Sequence, residues 1–340
     1  MNRKYTIFFW LILSLGSCNK TNGPVSPAGV DVYITGYGTV LPNTVARYWK
    51  NNKQFDLALS TPGYFQKSEF AAGIAVAGND LYICGYGSSG KNPITGLNYI
   101  AKYWKNGVSV NLTDSSPKSY ATGIGIAGTD VYVIGTGTTP DLNQLPIGKY
   151  WKNGVGVILP GGLPSAIAIS GNDVYISGTM VDSLTGREMA VYWKNGIPVR
   201  LPDSSSNARA NAILIDGSDI YVAGSDGNRA VYWKNQIPVY LTDGSTPAAL
   251  VSISVEGTDV LVGGNIRSIG TYWKNGIPVT LGEGIFLNGV ALAKGNIYVV
   301  GTIHTDPSVE YSGYWINNER QMIFDNTSST NTSQILVIKH

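Results

Sequence analysis

"AVYWKNGIPV" occupies residues 190–199, and "AVYWKNQIPV" returns at 230–239 with one letter changed. Its centre is an adjacent tyrosine and tryptophan, and the same pair ends in Trp49, Trp104, Trp151, Trp193, Trp233, Trp273 and Trp315. Every tryptophan beyond Trp10 belongs to this series, at spacings of 55, 47, 42, 40, 40 and 42 residues. Self-similarity at this period, with several short strands per unit, points to radial repetition of small sheets.

Each unit divides into four runs. In one, "NAILI" (211–215) ends in the turn "DGSD", "IYVAG" (220–224) follows, then "AVYWK" (230–234) and "IPVYL" (237–241). These runs are short, rich in Val, Ile and Tyr, and bounded by Gly, Asn, Asp and Pro, which are strand and turn signals. Four units carry Lys-Asn-Gly between the third and fourth runs, as a two-residue type I′ hairpin favours. The pairs Asn52-Lys53, Asn235-Gln236 and Asn317-Asn318 depart from it, which predicts looser turns or another type there. The runs are apolar on both sides, as in sheets covered on both faces. Because successive side chains alternate, each Tyr-Trp pair sends one ring toward each neighbouring sheet, so the pair reads as inter-blade packing. Stacking platforms for sugars are the rival reading of the tryptophans.

Seven second strands begin near residues 32, 81, 131, 174, 220, 260 and 297, but the first of them lacks a preceding strand. The C-terminal "QILVIKH" (334–340) is the unclaimed strand and has to supply it. The expectation is an all-β, seven-bladed β-propeller of four-stranded antiparallel blades over 28–340. Pairing of the C-terminal strand with the N-terminal blade closes it and removes an open edge.

Residues 1–17 stand apart. Arg3 and Lys4 precede the apolar "YTIFFWLILSL", which is too short for a bilayer span of roughly 20 residues and reads as a signal peptide. Gly16 and Ser17 before Cys18 resemble a bacterial lipobox, which implies cleavage there and a lipid on Cys18; a plain secretory signal is the alternative. Asn19, rather than Asp, leans toward an outer-membrane or cell-surface destination. Residues 18–27 form the lipidated cysteine and a small, polar, proline-bearing tether. Without Arg3 and Lys4 the chain holds 22 basic and 22 acidic residues and no block of like charge, which argues against nucleic acid as a partner. Cys84 is the only other cysteine, so neither a disulfide framework nor a cysteine zinc site is available.

In this strand order the "AGxD" and "KNG" turns share one face, the bottom, where the tether enters. Lys50, Lys105, Lys152, Lys194, Lys234 and Lys274 form a basic ring there, read as solvated hairpin ends. Asp31, Asp80, Asp130, Asp173, Asp219 and Asp259 match it one for one. Variable loops occupy the top, where binding usually sits. The residue after each second-strand glycine is Tyr37, Tyr86, Thr136, Thr179, Ser225, Asn265 or Thr302. Nearby loops add Arg187, Asp226, Arg229, Arg267 and His304, and blade connections add Tyr64, Phe65, Tyr120 and Phe286. Of these, Tyr37, Tyr86, Arg187, Asp226, Arg229, Arg267 and His304 are the candidate ligand contacts, suited to carbohydrate or peptide.

Catalysis asks for convergent acid–base or metal groups. Only His304 and His340 exist, and no His–Cys cluster has metal spacing. "SDGNRAVYW" (225–233) misses the sialidase Asp-box spacing by one position, and "PDSSSNAR" (202–209) is a poor calcium loop. Asp182, Glu188 and Asp226 are the carboxylates a hydrolase would pair. "ATGIGIAGTDVYVIG" through "KYWKNGVGVIL" (121–159) resembles the extracellular HAF-type repeat and, more distantly, kelch units; the resemblance implies a propeller and no defined chemistry. The expectation is a monomeric, lipid-anchored envelope module without metal or cofactor. It binds a glycan first, an envelope protein second, and is a hydrolase or lyase third.

Overall fold

The computed structural model describes residues 27–57, 67–92, 96–114, 118–138, 146–204, 207–306, 309–321 and 330–340. Residues 1–26, which include the expected signal peptide, Cys18 and tether, lie outside the described residues, as do Tyr64 and Phe65.

The chain builds one small sheet after another. The first unit holds β1 (Val30–Val40), β2 (Asn43–Lys50) and β3 (Lys53–Asp56). The second holds β4 (Glu69–Ala77), β5 (Asp80–Asn92), β6 (Gly96–Lys105) and β7 (Val108–Asn111). The third holds β8 (Ser119–Ala127), β9 (Asp130–Thr138), β10 (Pro146–Lys152) and β11 (Val155–Ile158). The fourth holds β12 (Gly162–Ser170), β13 (Asp173–Val181), β14 (Glu188–Lys194) and β15 (Ile197–Arg200). The fifth holds β16 (Ala208–Asp216), β17 (Asp219–Asp226), β18 (Arg229–Lys234) and β19 (Ile237–Tyr240). The sixth holds β20 (Ala248–Glu256), β21 (Asp259–Ile266), β22 (Ile269–Lys274) and β23 (Ile277–Glu283). The seventh holds β24 (Ile285–Ala293), β25 (Asn296–Asp306), β26 (Val309–Ile316) and β27 (Glu319–Gln321). Last comes β28 (Thr330–Lys339), which pairs antiparallel with β1 from Val30–Lys339 to Gly38–Thr330. Pairing is antiparallel in chain order within units, and one parallel bridge, Ile269–Ile285, joins the sixth sheet to the seventh. None of the sheets among the described residues closes on itself.

The core lies between the units. Trp49 packs into a cluster shared with the seventh unit, Trp104 with the first, Trp151 with the second and Trp193 with the third. Trp233, Trp273 and Trp315 likewise point back to the fourth, fifth and sixth units. The preceding tyrosine points forward each time: Tyr48 to the second unit, Tyr192 to the fifth, and Tyr314 to the first. All seven tryptophans are at most 5% exposed, which leaves no ring free as a sugar platform.

The innermost strands carry a feature the sequence did not announce. Pairing slips by one residue at the same place in each unit, leaving Ala72, Thr122, Ser165, Asn211, Val251, Asn288 and Ser333 as bulges. A bulge bends and twists its strand. Opposite it stands the second-strand glycine, such as Gly85, Gly135 or Gly224, where an added Cβ would run into the inner-strand carbonyl. The side chains of Asn211, Asn288 and Ser333 donate to the carbonyls of Leu250, Thr332 and Ala71 in the next unit.

The bottom turns are clasped. In six units the lysine after Trp pairs with the second-strand aspartate at 2.7–2.8 Å. The following asparagine donates to that aspartate and accepts from the next backbone N–H, as Asn153 does with Asp130 (2.8 Å) and Val131 (2.9 Å). Five of these lysines also lie 5.1–5.3 Å over a second-strand tyrosine. The lysines stay at solvated hairpin ends, yet each is clasped by a carboxylate on the adjacent second strand. Nor are the three departing turns looser: Asn51-Asn52, Asn235-Gln236 and Asn317-Asn318 keep positive φ at both positions, like Asn106-Gly107. In the first unit the turn pair is Asn51-Asn52, one residue earlier than expected. The asparagine clasp and the strand pairing hold the geometry, so the second residue accepts the left-handed conformation.

Two outcomes follow from the clasps. Gln236 is exposed with φ of 68°, so Gln236→Gly is expected to raise stability by about 1 kcal/mol in urea unfolding. The Lys339 ammonium and then the Gly295 N–H hold the Glu256 carboxyl down at about 2, and the lysine clasps hold Asp80, Asp130, Asp173, Asp219 and Asp259 below the usual carboxylate range. Folded-state values below the unfolded value of about 4 mean that this stability is complete above about pH 5 and is lost on acidification. Urea midpoints should fall from pH 5 to pH 2, and fall less steeply in Glu256→Gln.

Candidate functional site

The top face divides into three groups of side chains rather than one site. Over the first three units, Tyr37 and Tyr86 join an aromatic cluster. The Tyr37 ring meets Phe70 edge-on at 4.7 Å, and Phe70 stacks on Tyr86 at 4.8 Å. Tyr86 in turn meets Tyr99 at 5.5 Å and Tyr120 at 4.9 Å, both edge-on. Asn331 of β28 donates to the Tyr37 hydroxyl at 3.0 Å. Burial, helped by the neighbouring tyrosines, pushes the Tyr86 hydroxyl up to about 12. Nearby, Lys102 and Glu69 form an ion pair of 2.9 Å with side chains only 2% and 3% exposed. Gly87 makes room for it, since a Cβ there would press on both groups.

Over the fourth and fifth units lies a charged network. Asp226 is not open to a ligand, being only 1% exposed and surrounded by donors. Its Oδ2 accepts from the Ser204 N–H and hydroxyl (3.0 and 2.7 Å), the Tyr240 hydroxyl (2.8 Å) and Arg229 (3.0 Å). The Arg229 guanidinium lies 4.3 Å over the Tyr240 ring. Arg187 pairs with Asp203 at 2.5 Å. Arg209 grips Glu188 with two bonds of 2.6 and 2.8 Å. Over the last two units, Arg267 is exposed in the β21–β22 turn, and exposed His304 meets Phe286 edge-on at 5.2 Å.

Between the third and fourth units the top opens into a cavity of about 610 Å³. Ile147, Leu159, Leu163 and Val181 form apolar walls. Ser165, Thr179 and Asn211 supply hydroxyls and an amide, and the Arg209–Glu188 pair stands at one side. A second cavity of about 470 Å³ lies at the centre, where the inner strands converge. The bulges place Ser165 and Asn211 in the lining of both. Aliphatic walls with a few converging polar groups are the usual make-up of a small-molecule site, and the volume is within the usual roughly 300–1,000 Å³.

The carboxylates a hydrolase would pair are each occupied. Asp182 accepts from the Leu184 and Thr185 N–H groups (2.8 and 3.1 Å), Glu188 is held by Arg209, and Asp226 by its four donors. Among the described residues no group of three His, Cys, Asp or Glu is placed to hold a metal. Sequence reasoning missed Phe70, Tyr99 and the Lys102–Glu69 pair. Phe70 had a signal: it occupies the same inner-strand position as Tyr120 and Phe286, each facing a residue that follows a second-strand glycine.

No protein-family model matches the chain, and no curated protein matches it. Among solved structures it is similar to the β-propeller domain of the Trilobed protease from Pyrococcus furiosus, at TM-score 0.52 and 9% identity over 89% of this chain and 96% of that one. It is similar to the Pyrococcus horikoshii acylaminoacyl peptidase at TM-score 0.52 and 10% identity, over 88% of this chain and 52% of that one. A puromycin-hydrolyzing peptidase from Mycobacterium tuberculosis gives TM-score 0.52 and 10% identity over 86% and 53%. The chain thus spans about half the length of the two peptidases. At these identities the likeness shows the fold alone: the chain is a β-propeller.

The buried Lys102–Glu69 pair sets one expectation. Lys102→Met leaves an uncompensated carboxylate and should cost about 3–5 kcal/mol in urea unfolding, while Lys102→Met with Glu69→Leu should recover most of it.

Proposed function

We propose that this chain is a seven-bladed propeller, tethered to the cell envelope by a lipid on Cys18, that binds glycan on its top face without catalysing a reaction. Seven Tyr-Trp wedges support seven blades, and the pairing of β28 with β1 supports a closed ring. The Pyrococcus furiosus domain, by contrast, is described as having an open velcro topology.

The observation that carries the binding reading is the top-face cavity between the third and fourth units. A sugar ring presents C–H faces and hydroxyls together. Leu163, Ile147 and Val181 suit the first, while Ser165, Thr179, Asn211 and Arg209 suit the second. The aromatic rings over the first three units pack on one another, so the cavity rather than that cluster is the recognition element. A protein partner is the second reading, favoured by β11. Its residues Val155, Val157 and Ile158 are exposed, and it has neither the proline that blunts β15, β19 and β23 nor a charge.

The test is a screen of the full chain against envelope and dietary polysaccharides by thermal shift, followed by titration calorimetry. Binding should weaken at least about tenfold in Arg209→Ala and vanish when Leu163→Trp fills the cavity. A folded protein that binds no polysaccharide, or binds equally well with the cavity filled, refutes the glycan reading.

A further inference from the structure

The outer strands begin with a residue that the core does not use. Val108, Val155, Ile197, Ile237 and Ile277 each follow a bottom turn, and each is 68–70% exposed. They are aliphatic in five consecutive units, the second to the sixth, and in each the cross-strand partner is the clasped lysine. The first and seventh units have Lys53 and Glu319 there instead. The described chain starts beside this gap, where the Gly29 carbonyl accepts from the His340 N–H.

We propose that these five side chains form an apolar arc with which the propeller's bottom face docks onto the surface of the bilayer that holds it. The inference rests on the lipid anchor at Cys18. Residues 18–26 reach at most about 30 Å when fully extended, so an anchored Cys18 keeps the start of the first unit, at the bottom, within that distance of lipid headgroups. Five contacts spread over five units cannot be covered by one strand or one helix. A planar partner meets them together, and an anchored chain has that plane beside it.

The arc also decides the kind of attraction. Each lysine next to it is paired with an aspartate at 2.7–2.8 Å, so these turns carry cations and anions in equal number. Docking is therefore apolar rather than a basic ring on lipid phosphates. It should tolerate both uncharged lipid and high salt, whereas an electrostatic contact is screened within about 3 Å at 1 M salt. The lysine stems lie along the same surface and can keep their ammonium groups in the wet headgroup layer.

The experiment uses the lipidated full chain on vesicles of phosphatidylethanolamine, with and without phosphatidylglycerol. An environment-sensitive dye is attached at Ile197→Cys or Ile237→Cys on the bottom, and at exposed Asn228→Cys on the top as control. Cys84 is fully buried and its thiol is pushed up to about 12, so it stays unlabelled. Blue-shifted emission and quenching by brominated lipid at the two bottom sites only, unchanged by about 1 M salt, is the expected result. In the Val155→Ser, Ile277→Ser background the bottom quenching should drop at least twofold while the chain still floats with the vesicles. Flotation with no difference between bottom and top overturns the docking and leaves the anchor standing. Failure to float, with Cys18 unmodified by mass, overturns the anchor reading and the docking with it. A blue shift without lipid quenching, in particles of twice the chain's mass, makes the partner a second copy and overturns the bilayer as occupant.

Discussion

The wedge between units is the interaction on which the rest depends. A third strand alternates its side chains between two faces, so a dipeptide is the shortest element that can serve both neighbours. Tyr-Trp does this with the largest apolar groups available, at roughly 150–250 Å² per ring. At about 25 cal/mol per Å² each tryptophan contributes on the order of 4–6 kcal/mol of transfer free energy, an upper bound given a compact unfolded chain. The same rule governs the interface between the last unit and the first. Tyr314 reaches forward and Trp49 backward into one cluster, with Ile335 of β28 beside them. A repeated wedge therefore has no natural end, and here the wedge of the last unit and that of the first fill one shared cluster.

The clasp and the bulge serve the wedge. Lysine, asparagine and aspartate join the end of the third strand to the start of the second, which fixes how far along the interface each tryptophan falls. They lie at the rim in water, where such pairs set register more than they add strength. The seventh unit shows that charge is dispensable there, since Asn317 donates to Asn296 at 2.8 Å in place of the aspartate clasp. At the other end, the bulge turns the inner strands and brings Ser165, Asn211 and Asn288 against the centre. The opposing glycine is the cost of that bend, because a side chain there would occupy the space of the inner-strand carbonyl.

What was legible in the sequence was what repeats. Strand order, the interfacial role of the tryptophans and the need for a strand from the far end all follow from the spacing of seven dipeptides. Features that depend on one unit meeting another were not. Tyr37 and Tyr86 come together across Phe70, and Asp226 turned inward because Ser204 of the β15–β16 connection and Tyr240 of β19 satisfy it. Lys102 and Glu69 are 33 residues apart and look like ordinary surface charges until the fold buries both. The bulge escaped notice because its residue varies from Ala72 to Asn288, while the glycine that reports it stands on a different strand. The turns misled for another reason. Asn-Gly is the favoured sequence for that geometry, but the asparagine alone, locked from both sides, is sufficient to impose it on Asn52, Gln236 and Asn318.

The two faces differ in a way that bears on what each can recognise. On the bottom the same turn recurs in six units with balanced charge and, in five, an aliphatic side chain beside it. A surface that presents one chemistry around a ring discriminates poorly among compact ligands, because every segment competes equally for them. It is matched only by a partner as extended as itself. On the top, the loops between second and third strands differ in sequence from unit to unit, and a cavity opens between the third and fourth. Its apolar walls come from the third and fourth units, while Arg209 of the fifth and the bulges at Ser165 and Asn211 add the polar groups. The framework keeps its symmetry through the wedges, so a selective contact on this scaffold has to come from where that symmetry is broken above them.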